Sequence, residues 1–180
     1  MSERQGQQAP VMTAEDALAV YRLLNESRVV TWINGGWGVD ALVGRQTRPH
    51  ADLDLFVGIG HVPALRSLLG REGFEEIPGG RAANFVLRDS KRREVDVHVF
   101  ELDTDGNGLY PNADGTTWVC PAAGLCGQGT ISGRQVRCFT ADLQLQCYSG
   151  YELEDSDRHD IALLHDAFPL ATPLPIEVRV

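Results

Sequence analysis

Residues 32–56 read WINGGWGVDALVGRQTRPHADLDLF, and the spacing of glycines, cations and acids along this stretch decides the fold. The run VVTWI (29–33) that enters it has the β-branched and aromatic content of a short buried strand. Asn34, Gly35 and Gly36 break that strand, and GVDALVG (38–44) offers a short helix closed by Gly44. DLDLFV (52–57) then alternates polar and apolar, so it is read as a second strand with Leu53, Leu55 and Val57 on one face. Residues at i and i+2 of a strand point to the same side, which makes Asp52 and Asp54 neighbours. Two carboxylates that close raise each other's pKa unless a cation intervenes.

Working outward, TAEDALAVYRLLNES (13–27) has helical spacing. Thr13 is its cap, Asp16 falls at the capping-box position, and Ala17, Val20, Tyr21 and Leu24 line one stripe. VPALRSLLGREGF (62–74) is a helix with Pro63 in its first turn, ending near Gly73. ANFVLRD (83–89) and EVDVHVF (94–100) form a hairpin around Ser90–Arg93, and GTISGRQVRCF (129–139) forms another through Ser132-Gly133. Residues 103–117 are read as a glycine-rich loop, and two helices, TADLQLQCY (140–148) and DSDRHDIALLHDAF (155–168), precede a proline-rich tail. The expected class is α+β (mixed α/β). The expected organisation is a flexible N-terminus 1–12, a main domain 13–140, a C-terminal helical portion 141–168 and a tail 169–180.

A length of 180 residues suits one domain, and 43% apolar residues is globular composition. The net charge of −9 argues against phosphate-backbone binding, so no nucleic-acid partner is expected; it suits metal ions or a cationic small substrate. No apolar run is long enough for a membrane span and the start lacks the pattern of a signal peptide, so a cytoplasmic location is expected. Cys120, Cys126, Cys138 and Cys147 have no metal-binding spacing and are read as free, largely buried thiols.

Asp96 lies mid-strand in EVDVHVF. If that strand pairs beside DLDLFV, three carboxylates converge on one face. Mg²⁺ takes hard oxygen ligands and shares its shell with substrate phosphates, and a pair of such ions about 3.5–4 Å apart suits in-line phosphoryl displacement. The Gly35-Gly36 turn before a helix lets backbone N–H groups approach a phosphate, with Arg48 and His50 placed to offset its charge. Trp37 is available to stack on a nucleotide base, although an aromatic at a helix start is more often core packing. Asp40 is read as orienting the loop, as a cap or through Arg45. Glu94 shares the parity of Asp96 and rivals it as a base; His98 shares the same face and is a candidate substrate contact. Glu152, Glu154, Asp155, Asp157 and Asp160 make a dense acidic patch that suits a helix N-terminus or a protonated amine, with Tyr151 and Glu152 as candidate acceptor contacts.

The segment GGWGVDALVGRQTRPHADLDL (35–55) resembles the nucleotidyltransferase signature of the DNA polymerase beta superfamily. Together with EVDVH, GRQVRC and YSGYELEDSDRHDIALL it is most similar to the small antibiotic nucleotidyltransferases that modify lincosamides, and more distantly to those that adenylylate an aminoglycoside. The resemblance implies a nucleotidyltransferase fold: a central mixed sheet flanked by helices, with a C-terminal helical portion. It implies Asp52 and Asp54 as metal ligands and Asp96 as third ligand, general base or both. It implies ATP or another nucleoside triphosphate and two Mg²⁺ ions, a nucleoside monophosphate moved to a substrate hydroxyl, and a homodimer as an expected assembly. An aminoglycoside or a metabolite is the alternative acceptor. An antitoxin-type or non-catalytic nucleotide-binding module is the reading from another class, which loss of any of the three acids would have favoured.

Overall fold

The computed structural model describes residues 11–149 and 151–170, and the backbone of residues 178 and 179. Helix α1 (Ala14–Glu26) opens on Thr13, whose Oγ1 accepts from the Asp16 amide at 3.2 Å and donates to its carboxylate at 2.6 Å. Ala17, Val20, Tyr21 and Leu24 are its buried stripe, as the spacing predicts. Strand β1 (Thr31–Asn34) runs directly into helix α2 (Gly35–Val43), which ends on Gly44 in the left-handed conformation. The helix begins three residues earlier than the sequence suggests, so both paired glycines lie in its first turn.

Strand β2 (Asp52–Gly58) leads through a turn of 3₁₀ helix to α3 (Val62–Arg71), which carries Pro63 at its start. Then follow β3 (Glu75–Glu76), β4 (Asn84–Arg88) and β5 (Glu94–Leu102). The expected glycine-rich loop is instead mostly a hairpin, β6 (Gly108–Pro111) and β7 (Thr117–Cys120), around the turn Asn112–Thr116. Leu109 and Tyr110 on one side and Trp118 and Val119 on the other supply the strand-forming side chains that the glycine content of the segment obscures. Strands β8 (Gln128–Ile131) and β9 (Arg134–Arg137) form a separate hairpin, with Ser132 and Gly133 both at positive φ as a two-residue turn of this kind requires. Helices α4 (Ala141–Gln146) and α5 (Asp155–Ala167) follow, and β10 (Val178–Arg179) pairs with β7.

The sheet runs β1-β2-β5-β6-β7-β10, with β4 also on β5 and β3 on β4. Among the described residues β2 and β5 are the parallel pair of this sheet; its other named pairs are antiparallel, so the sheet is mixed. Its period of two sorts the side chains. Leu53, Leu55 and Val57 of β2 and Val95, Val97 and Val99 of β5 face a core shared with α1 and α3, and all are buried. A second cluster joins Trp32, Phe56 and Phe100 to Phe139 and Leu143, and a third joins Val39 of α2 to Ala141 and Leu164 of the helical end. The helical end therefore packs on the helix that begins at the glycine pair.

Of the expected flexible stretch 1–12, residues 1–10 lie outside the described residues; Met12 is fully buried and its amide bonds the His50 carbonyl at 2.9 Å. Most of the expected tail also lies outside them. All four cysteines are free; burial pushes the Cys120 and Cys138 thiols up to about 12. Among the described residues no helix is long and apolar enough to cross a membrane.

Candidate active site

The parallel register of β2 and β5 sets Asp52 beside Glu94, Asp54 beside Asp96 and Phe56 beside His98, all on the sheet face opposite the aliphatic core. The convergence of three aspartates anticipated from the sequence is thus a consequence of register. Burial, reinforced by the charges of Asp54, Asp96 and Glu94, pushes the Asp52 carboxyl up to about 7. Asp96 is also raised, by burial first and then by Asp54 and Glu94, against the opposing pull of His98 and of a hydrogen bond from Asn84. Asn84 Nδ2 donates to Asp96 Oδ1 at 2.7 Å and lies 3.4 Å from His98 Nδ1. His98 Nε2 stands 3.5 Å from Asp54 Oδ1 and 3.8 Å from Asp96 Oδ2, and its ring stacks on Phe56 at 4.8 Å. Burial alone would lower the His98 pKa; the bond and charge of Asp54, with Asp96 and Asp52, raise it instead.

One ligand atom each of Asp54, Asp96 and His98 lie within 4.8 Å of one another. Oxygen donors on a half-buried, mutually repelling carboxylate cluster fit a hard divalent cation, because the ion offsets the repulsion that adds to burial in raising the Asp52 carboxyl.

Across from the acids, Gly35 adopts φ +60°, and its missing side chain is what admits Asp54: a Cβ there would stand 2.8 Å from Asp54 Cγ and closer still to Oδ2. A Cβ on Gly36 would meet the Arg48 guanidinium at 2.5 Å and the His50 ring. The first turn of α2 thus presents bare backbone amides between a cation and the acids, at the positive end of the helix.

The loop that carries Arg48 and His50 is folded around Asp40, which is buried. Asp40 accepts from the Thr47 amide at 3.1 Å, from Thr47 Oγ1 at 2.6 Å and from His50 Nε2 at 2.5 Å. Burial would raise the Asp40 pKa, but the bonds from His50 and Thr47 outweigh it and hold the carboxyl below its usual value. With Asp40 ionised, Nε2 of His50 carries the proton, and Nδ1 is the nitrogen turned toward Gly36. Asp40 orients the loop as the sequence suggests, through Thr47 and His50 rather than through Arg45. Arg48 is gripped by Asp160 of α5, Nε to Oδ1 at 3.0 Å and the terminal nitrogen to Oδ2 at 2.6 Å.

The sheet face, α2 and the helical end enclose an open cavity of about 860 Å³ that Asp52, Asp54, Gly35, Gly36 and Arg48 line. Part of its wall is aromatic, with Phe56 at the centre of ring contacts to His98, Tyr110 and Trp118. Glu154, Asp157 and Asp114 put carboxylates on its wall.

Several sequence readings are corrected. Trp37 is 2% exposed, packs on the His50 ring at 4.5 Å and is not on the wall, so it does not stack on a base; starting the helix at Gly35 turns its third residue into the core. Glu94 is drawn to Arg88, Nε to Oε1 at 2.8 Å, an ion pair at the β4–β5 register that takes it from the cavity. Glu152 is exposed and off the wall, whereas Tyr151 lies at the cavity mouth, 52% exposed. Sequence reasoning did not find Asn84, Tyr148 or the role of Asp160. Asn84 faces His98 only through strand register; Asp160 carried a signal, an acid four residues before the buried Leu164 on the packed side of α5.

Compared with known proteins, residues 16–164 match the family profile described as aminoglycoside-2''-adenylyltransferase. A lincosamide resistance protein of Staphylococcus haemolyticus is 27% identical over 150 residues, 83% of this chain and 92% of that protein. A 2''-aminoglycoside nucleotidyltransferase of Escherichia coli is 33% identical over 119 residues, 63% of this chain and 60% of that protein. The lincomycin-bound crystal structure of the lincosamide antibiotic adenylyltransferase LnuA superposes with a TM-score of 0.78 at 26% identity, covering 88% of this chain and 99% of that one. ANT(2'')-Ia in complex with adenylyl-2''-tobramycin superposes at 0.69 and 19% identity, covering 86% and 88%, a likeness of fold.

Proposed function

The chain belongs to the aminoglycoside-2''-adenylyltransferase family, and from that premise we propose that it is a Mg²⁺-dependent nucleotidyltransferase that moves AMP from ATP to a hydroxyl of a lincosamide, conferring resistance. The observation that carries this reading is the meeting, across one cavity, of the carboxylate face of β2–β5, with Asp52 and Asp54 on the wall and Asp96 behind them beside Asp54, and the bare first turn of α2. Nucleotidyl transfer needs both: carboxylates for metal and amides for phosphate.

Asp52, Asp54 and Asp96 would hold two Mg²⁺ ions, with His98 beside them. Bound there, the ions would neutralise the triphosphate and the leaving pyrophosphate. Gly35 and Gly36 donate backbone N–H groups to phosphate oxygens, and Arg48 adds charge-assisted bonds. His50 holds the loop against Gly36 through its bond to Asp40. Asp96 takes the proton of the acceptor hydroxyl as that oxygen bonds the α-phosphorus and the bond to the pyrophosphate oxygen breaks. Asn84 occupies one oxygen of Asp96, which leaves the other for the proton. A positioned base of this kind contributes typically about 10²–10⁴-fold.

The aromatic wall favours a lincosamide over an aminoglycoside. Phe56, Tyr110 and Trp118 give apolar area to an acceptor that carries an alkyl-substituted ring and one amine, and Asp157 and Glu154 meet that amine at the rim. A polycation wholly covered in hydroxyls and amines would leave those rings without a partner. An acceptor that contacts these residues needs no second chain to complete the wall; a homodimer remains the expected assembly from the family likeness.

The test is mass spectrometry after incubation with Mg²⁺, mixed nucleoside triphosphates and a pool of lincosamides and aminoglycosides. The expected product is a lincosamide heavier by one AMP, formed only with metal and absent with Asp54→Asn. An aminoglycoside product alone would overturn the acceptor assignment, and no nucleotidylated product with any drug would overturn the proposed activity.

A further inference from the structure

We propose that Asp160 of α5 is a positioning residue for nucleotide: it holds the Arg48 guanidinium against Gly36, with Tyr148 in turn holding Asp160. This rests on the nucleotidyltransferase reading above and assigns a task to a carboxylate that touches no reacting atom.

Three observations carry it. Asp160 is 1% exposed, an isolated carboxylate on the packed side of its helix, and such a group is tolerated only when fully bonded. Its bonds are the two parallel contacts to Arg48, at 3.0 and 2.6 Å, and one accepted from the Tyr148 hydroxyl at 3.1 Å. Arg48 spends a third N–H on the Pro49 carbonyl at 3.3 Å. A guanidinium has five N–H donors in a rigid plane, so two remain, and the fork with Asp160 fixes where they point. The same terminal nitrogen that bonds Asp160 stands 2.5 Å from where a Gly36 Cβ would be, so it lies against the residue whose amide is proposed to receive phosphate. Arg48 lies on a loop some 112 positions from Asp160 in sequence, so only the docking of α5 on α2 brings them together.

The arrangement sets position against charge. Asp160 places a negative charge beside the phosphate site, whose repulsion by itself weakens nucleotide binding. It is useful there only if geometry outweighs charge: an unrestrained arginine on a half-exposed loop loses rotamer entropy each time it engages a phosphate, and the fork removes that loss beforehand. Charge and positioning therefore predict opposite signs for the removal of Asp160.

The experiment is steady-state kinetics of the full chain with Asp160→Asn, Arg48→Gln and the double variant, varying ATP and lincosamide separately. Positioning predicts that Asp160→Asn raises the ATP KM about tenfold, leaves the acceptor KM within about twofold, and adds nothing in the Arg48→Gln background. An ATP KM that is unchanged or lower overturns the proposal, because charge then outweighs geometry. A rise confined to the acceptor KM overturns it by assigning the carboxylate to the acceptor amine, and an additive loss in the double variant overturns it by showing a role independent of Arg48. Should Asp160→Asn fail to fold, Tyr148→Phe removes one bond from the carboxylate and is expected to raise the ATP KM severalfold with the same selectivity; no change overturns the proposal. If the wild-type chain shows no turnover the functional reading fails, and calorimetry with inorganic triphosphate then decides the matter: weaker binding by Asp160→Asn supports positioning, equal or tighter binding overturns it.

Discussion

Gly35→Ala tests the contact on which the site depends. Gly35 sits at φ +60°, where an L-residue costs roughly 1–2 kcal/mol. That strain alone lowers the melting temperature of a chain this size by about 2–8 °C. The second effect is specific. The new Cβ would lie 2.8 Å from Asp54 Cγ and 3.2 Å from its Cβ, so the Asp54 carboxylate must swing off its place beside Asp96 and His98. Because Asp54 is proposed to hold the metal ions, turnover should fall by about 10²-fold or more, the order expected of a group displaced by about an ångström from a reacting geometry. Gly73→Ala separates the two effects. Gly73 also has positive φ, +85°, but a Cβ there meets nothing within 4 Å. Pyrophosphate release under saturating Mg²⁺, ATP and lincosamide, with thermal denaturation alongside, reads both quantities. Gly73→Ala should lose stability and keep activity; Gly35→Ala should lose both. Near-normal turnover in a folded Gly35→Ala would refute the placement of Asp54 in the reaction centre.

Asp54→Asn should abolish turnover, yet the metal-free variant should melt no lower than wild type, since Asp54 is one of the charges that raise Asp52 and Asp96; a lower melting temperature in EDTA would show that the cluster is not self-repelling. Trp118→Ala should raise the lincosamide KM about tenfold with little change for ATP, because Trp118 belongs to the aromatic part of the wall proposed to hold the acceptor; kinetics with each substrate varied decide this. Arg93 ties α1 to the β4–β5 turn through Asp16 at 2.7 Å and Asp89 at 2.6 Å. Burial would raise both carboxyls, but the bonds from Thr13 and Arg93 to Asp16, and from Arg93 to Asp89, win and lower them. Groups lowered on folding add stability that is present above their unfolded pKa, near 4, and is lost as pH falls through the folded value. Urea unfolding between pH 5 and 3 should therefore show a smaller acid loss for Arg93→Gln than for wild type; equal losses would remove this network from the acid sensitivity.

How much of this was legible beforehand follows from the range of each interaction. Strand, helix and turn in residues 29–58 are set by neighbours in sequence: β-branched residues, alternation, and Gly44 closing a helix in the left-handed conformation. The pairing of Asp52 with Asp54 needed only the parity of one strand, and the hairpins of β4–β5 and β8–β9 only their turns. The β6–β7 hairpin was missed because its glycines and acids match a loop, and its strands exist by adding to the end of β5.

What the amino-acid order determined by itself is everything within reach of a turn or a pleat: the glycine pair, the two acids on one face, the third acid mid-strand, and the family likeness they carry. What only the tertiary structure decided is which side chains meet across elements. The parallel register puts Asp96 rather than Glu94 beside Asp54; the two acids share a face by parity, so only the pairing of β5 with β2 decides between them. Helix α2 starting at Gly35 buries Trp37, and the packing of α5 on α2 delivers Asp160 to Arg48. Contacts so distant in sequence are bought with the burial of Val39, Ala141 and Leu164, which no local pattern encodes.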